Sequence, residues 1–153
     1  MSGEYWIRKL AEYLNISEEE ARRLVVQRAA RVLLLPALSV KFSRALESSE
    51  SLLELVEELS EGLARLRECV ERDILHARDA LAFLTSFYYA LPNAKLPCDW
   101  KATLIKAFRP VGDLALAEDV DKDELVKVIS RIEAELSSLA ENLTSCLAAT
   151  RNC

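Results

Sequence analysis

From Leu125 onward the apolar residues Leu125, Ile129, Ile132, Leu136, Leu139, Leu143 and Cys146 recur at alternating steps of four and three. Both steps return to nearly the same face of a helix that turns once every 3.6 residues or so, which places all seven on one narrow stripe. A strand would need a period of two. The spacing therefore predicts a helix over about 122–150, opened by Asp121 and Glu124. A stripe of this length has to be covered by another, and the chain carries one. Leu52, Val56, Leu59, Leu63, Leu66 and Val70 keep the same heptad spacing, and after one extra four-residue step Ile74, Ala77, Leu81, Leu84, Tyr88 and Leu91 resume it. The extra step reads as a stutter within one long helix over about 51–91, started by the capping pair Ser51 and Glu54.

Shorter helical segments fill the rest. The first spans Glu4 to Leu14 and stops at Asn15, and Ser17 with Glu20 forms a capping box for a second that runs from Glu18 to about Leu34. Pro36 lacks a backbone N–H and marks a kink or a fresh start, giving a third helix over 36–47. Pro92 and Pro97 bracket a loop, Asp99 caps a helix from Trp100, and Pro110 with Gly112 is expected to interrupt it. Only three glycines and four prolines occur in 153 residues, too few for the turns of a sandwich or barrel. The expectation is an all-α helical bundle forming a single domain over 1–153, with the basic N-terminal helices of residues 1–47 packed on it. The two heptad seams would pack against each other, inside one chain or across a dimer.

The net charge of −5 is spread unevenly, with +2 on residues 1–47, −5 on 48–91, +1 on 92–118 and −3 on the remainder. An acidic total does not favour a nucleic-acid binder. The opening "MSGEYWIRKL" has no charged segment followed by an apolar run, and the longest uncharged stretch, Ala80 to Ala94, is too short to span a bilayer. A cytoplasmic protein without membrane contact is expected. One glutamine, one methionine and four asparagines against abundant Glu and Arg match a hyperthermophile composition, a setting in which intracellular disulfides occur. If the chain is oxidised, the lengths of an up–down–up topology pair Cys98 with Cys146 or Cys153, leaving Cys69 far below.

His76 is the only histidine and shares a flanking row of the long helix with Cys69, Ala80, Phe83 and Phe87, which reads as a structural role. Asp73 and His76 have the spacing of a di-metal carboxylate bundle, but a second histidine motif is missing, and no glycine-rich phosphate loop or paired zinc spacing exists. No catalytic residue, metal, cofactor or small-molecule ligand is assigned. "RDILH" resembles, with three intervening residues in place of four to six, the arginine and histidine of the helical HEPN ribonucleases, and that resemblance implies ribonuclease activity centred on Arg72 and His76.

"KLAEYLNISEEEARRLVVQ", residues 9–27, resembles a helix-turn-helix. In that resemblance Ala11 is the small residue at the crossing, Asn15 takes the usual glycine position, Ala21 and Leu24 face inward, and Ser17, Glu18, Glu19, Arg22 and Arg23 would meet the groove. Arg28, Arg31, Lys41 and Arg44 extend the basic residues into a strip suited to a nucleic-acid backbone. Glu47, Glu50, Glu54, Glu57, Glu58 and Glu61 follow at once, and internal ion pairing with them is the favoured reading of the strip. Two functions are carried forward. The first is a non-enzymatic interaction or assembly subunit that self-associates or docks a partner protein through its heptad seams. The second is a nucleic-acid-binding helical protein, a regulator or a small subunit of a nucleoprotein complex, similar in size and class to the small subunits of CRISPR effectors.

Overall fold

The computed structural model describes Gly3 to Arg151, with side chains as far as Ser145, and among these residues all regular structure is helical. Seven α-helices follow one another: α1 (Gly3–Leu14), α2 (Glu18–Ala29), α3 (Leu35–Ser48), α4 (Leu52–Glu71), α5 (Ala77–Ala90), α6 (Cys98–Ala115) and α7 (Lys122–Arg151). A five-residue π-helical segment, Ala30–Leu34, joins α2 to α3, and a single 3₁₀ turn, Leu91–Asn93, follows α5. The expected all-α helical bundle is the fold.

Helices α4 and α7 make the most extensive packing in the molecule, within the one chain. Leu55, Leu59, Leu63 and Leu66 of α4 and Leu125, Ile129, Ile132 and Leu136 of α7 are all fully buried. Each such side chain withdraws enough apolar surface to contribute roughly 2 kcal/mol before entropy is counted. Leu139 and Leu143 are only partly covered. Along the edge of this seam the Arg67 guanidinium of α4 donates to both carboxylate oxygens of Glu133 on α7 and also to Glu71. Those bonds, Glu133 first, hold Arg67 more firmly protonated than a free arginine. The other layer is aromatic: Phe42 of α3 sits against Phe83 and Phe87 of α5, and Phe87 against Phe108 of α6, with ring centroids 5.0–5.3 Å apart.

The expected long helix over 51–91 is two helices. Helix α4 stops at Glu71 because Asp73 turns into the left-handed region, at φ 59°. Around it the Asp73 N–H donates to the Val70 carbonyl and the Ile74 N–H to the Cys69 carbonyl, the paired bonds of a Schellman cap. His76 then opens α5 as its N-cap, Nδ1 accepting from the Arg78 N–H at 3.0 Å. Helix α5 runs back beside α4, so that Phe42 meets Gly62 of α4 as well as Phe83 and Phe87 of α5. The apolar spacing that continues across residues 70–77 serves this reversal equally well, since Val70, Leu75 and Ala77 are buried on both sides of the corner.

One proline acts otherwise than expected, and Pro36 opens a fresh helix as expected. Pro110 lies inside α6, which continues unbroken to Ala115. Burial of Leu104, Ala107, Phe108 and Val111 holds the helix on both sides of the missing hydrogen bond. Gly112 is required there by the Tyr88 ring, which a Cβ would meet at 2.8 Å. At Pro36 the chain widens upstream: Leu35 N–H reaches back five residues to the Ala30 carbonyl, and the broad turn leaves room for the ring. Helix α6 begins at Cys98, with Pro97 rather than Asp99 as its cap.

Of the N-terminal helices expected on the bundle, α3 lies there, against α4. Helix α1 packs on α2 alone among its more extensive contacts, and α2 meets the rest of the chain mainly through the π-helical segment. The Gln27 side chain donates to the Asp73 carbonyl at the corner where α4 ends. Upstream of that bond the start of α2 faces the same corner across an open cleft lined by Arg23, Val26, Arg72, Asp73 and Ile74.

Candidate interaction surface

Helices α1 and α2 form a helical hairpin built from the same local chemistry as the corner after α4. Asn15 adopts φ 55°, its N–H donates to the Glu12 carbonyl and the Ile16 N–H to the Ala11 carbonyl, which closes α1 with a Schellman cap. Ser17 Oγ accepts from the Glu20 N–H and starts α2. Ala11 and Ala21 are buried where the helices cross, and two small residues there bring the backbones close. Ion pairs fasten the hairpin across its polar side, Arg22 to Glu4 at 2.6 Å and Arg8 to Glu18 at 4.0 Å.

That close crossing has a consequence for the larger side chains. Ala11 and Ala21 are the only buried residues of α1 and α2. Leu24, expected to face inward, is exposed. Tyr13 is 87% exposed, Leu33 72% and Trp6 60%, and Leu14, Val25 and Val32 are also largely open. They are not scattered. Trp6, Ile7, Leu10 and Tyr13 line one groove with Val25, and Leu10, Leu14, Leu24, Val25, Val32 and Leu33 line a second that continues from it. Scaled from the surfaces of such side chains, the exposed apolar face is on the order of 800 Å², against the roughly 300–600 Å² of the largest patch on a typical soluble monomer. Sequence periodicity missed this face because an amphipathic pattern says which side of a helix is apolar and nothing about what covers it.

The basic residues fall into three environments. Arg22 is held by Glu4, and Lys41 by Glu58 and Glu61 at 3.1 and 3.3 Å. Arg28 sits in the apolar groove beside Leu24 and Val32. Arg23 faces a cleft between the start of α2 and the corner at Arg72, Asp73 and Ile74, while Arg44 borders a groove with Val40, Lys41 and Glu54. Among the described residues no carboxylate lies within ion-pair distance of Arg23, Arg28, Arg31 or Arg44, although the glutamates after residue 47 were expected to neutralise the strip.

Arg72 and His76 do not share a helix face. Arg72 ends α4 and pairs with Glu68, whereas His76 lies beyond the corner with Nδ1 engaged by the backbone. Cys69 is half-buried, and burial foremost pushes its thiol pKa up. Cys98 is exposed and is not bonded to Cys69. The Cys146 side chain and Cys153, the expected partners of Cys98, lie outside the described residues. Among the described residues no three His, Cys, Asp or Glu side chains converge to hold a metal ion, and no helix is long and apolar enough to cross a membrane. In comparisons with protein-family models, with curated proteins and with solved structures, the chain matches none.

Proposed function

We propose that this protein is a non-enzymatic interaction or assembly subunit of the cytoplasm whose docking element is the α1–α2 hairpin. The observation that carries the reading is the continuous apolar face from Trp6 to Leu33, left in solvent while the exposed apolar side chains elsewhere, Val40, Tyr89 and Leu116, stand singly. Val56 to Val70 of α4 and Leu125 to Leu136 of α7 are buried at their heptad-spaced positions, so docking is assigned to the hairpin and not to those stretches. Affinity capture with the tagged chain from the cells that make it, wild type beside Leu24→Glu, tests this. A stoichiometric companion, another copy or another protein, retained by wild type and lost with the variant is expected. Identical profiles for the two chains would sink the reading.

A second reading rests on a different observation, the four arginines, Arg23, Arg28, Arg31 and Arg44, for which no described carboxylate lies within ion-pair distance along the continuous run from α2 to α3. They suit contacts to a phosphate backbone in a small nucleoprotein subunit or a helix-turn-helix-like regulator. Fluorescence anisotropy with single- and double-stranded DNA and RNA decides it: phosphate contacts by three or four arginines predict a log–log salt slope near −3, and no binding at low salt rejects it.

A further inference from the structure

The occupant of the apolar face follows from its size, its charge and its separation from the buried core. We infer that two copies of this chain join hairpin to hairpin, α1 and α2 of one covering α1 and α2 of the other, to form a four-helix unit. The inference rests on the reading of the hairpin as a docking element and names what docks.

Three features carry it. An apolar face on the order of 800 Å² is of the size that each partner contributes to a standard protein interface, roughly 800 Å². The hairpin contains five acidic residues, Glu4, Glu12, Glu18, Glu19 and Glu20, and five basic ones, Arg8, Lys9, Arg22, Arg23 and Arg28. Two neutral surfaces approach without the repulsion that the rest of a chain with net charge −5 would impose on its copy. None of the residues that line the face belongs to the buried core of the bundle, so a twofold contact, in which the same patch serves both sides, leaves that core as it is.

The hairpin also lacks the means to stand alone. Its helices are 12 residues each and bury only Ala11 and Ala21, and isolated helices of about that length are marginal in water. Facing pairs of helices at a shallow angle supply the missing layer, as in four-helix bundles generally. Trp6 and Tyr13, large and rigid, are the anchors expected to dominate the contact.

Light scattering after size-exclusion chromatography, with the full-length chain under reducing conditions over roughly 1–100 µM, a window that brackets ordinary dimer affinities, tests the inference. A mass of two chains is expected for wild type and for Leu116→Glu, a control at a residue that is 82% exposed and belongs to neither α1 nor α2. Tyr13→Glu and Leu33→Glu each weaken the dimer at least about thirtyfold, with the bundle melting as in wild type because neither side chain belongs to its core. Trp6 emission shifts to longer wavelength in both variants. A wild-type monomer at every concentration overturns the inference. If capture of another protein is then still lost in Leu24→Glu, the docking reading survives with a different occupant. Monomer that sediments with anionic vesicles assigns the face to a lipid surface and likewise overturns the second copy.

Discussion

Helix α7 places Leu125, Ile129, Ile132 and Leu136 in full burial, while α2 leaves Leu24, Val25 and Val26 exposed. Both helices carry an apolar stripe. What separates them is the neighbour: α7 lies along α4, and α2 crosses α1 through two alanines that keep every larger side chain outside. The comparison teaches that the apolar content of the hairpin does not stabilise the monomer, whereas the apolar content of the bundle does. Matched substitutions in the two regions test that statement directly.

The largest contrast is between Leu59 and Leu33. Leu59→Ala empties a site with no exposure and is expected to lower unfolding free energy by about 3 kcal/mol. Leu33→Ala in dilute solution shifts it by less than about 0.5 kcal/mol. Urea denaturation of both variants measures the pair, and equal losses would break the distinction between the regions.

Glycine comes next. A Cβ on Gly62 would stand 2.1 Å from Cε1 of Phe42, a ring locked between α4 and α5, and Gly62→Ala is expected to cost about 2 kcal/mol of strain. Gly3 has nothing within 4 Å of such a Cβ, and Gly3→Ala leaves the melting curve in place. Helix caps give a smaller contrast. His76→Ala removes the acceptor that starts α5, lowering global stability by about 1 kcal/mol, with Asn restoring most of it. Ser17→Ala removes the equivalent bond in α2. It should appear as faster amide exchange in the first turn of that helix with little change in the global midpoint, since local opening need not involve the bundle.

The smallest contrast is electrostatic. Double-mutant cycles should give about 1 kcal/mol for Arg67 with Glu133, which are partly buried across α4 and α7, and no more than about 0.5 kcal/mol for the exposed Arg22 and Glu4. A larger value for the hairpin pair would mean that α1 and α2 are held far more rigidly than their burial implies.

How much of this could be read from the residues is clearest at the two Schellman corners. Asn15 was recognisable because the apolar pattern stops there and Ser17 restarts it. Asp73 occupies the same backbone conformation with the same pair of hydrogen bonds, yet the apolar spacing runs straight through it, and a stutter and a tight reversal leave the same trace in a periodicity. The burial of α4 and α7 was legible because each stripe needed a partner of equal length. Arg67 with Glu133, 66 positions apart, was not legible, because a contact across the fold depends on how two helices register and not on either alone. The exposed hairpin was hidden for a related reason. Its residues look like core residues, and only the pairing of α1 and α2 with each other, in place of α4 or α7, leaves them uncovered.

The π-helical segment between Ala30 and Leu34 sets the direction in which that face looks. It places one more residue in the joint than an α-helical turn would hold, and each residue advances an α-helix by about 100°. The joint thus fixes the phase of α2 relative to α3, in the manner of a keyed coupling between two shafts. A relative of this chain with one residue fewer between Ala30 and Leu34 would close the wide turn to an α-helical one, keeping Leu38, Phe42 and Ala45 seated in the bundle and the hairpin near its present phase. Loss of one residue from the regular turns of α2 has no such slack and would turn everything before it by about 100°.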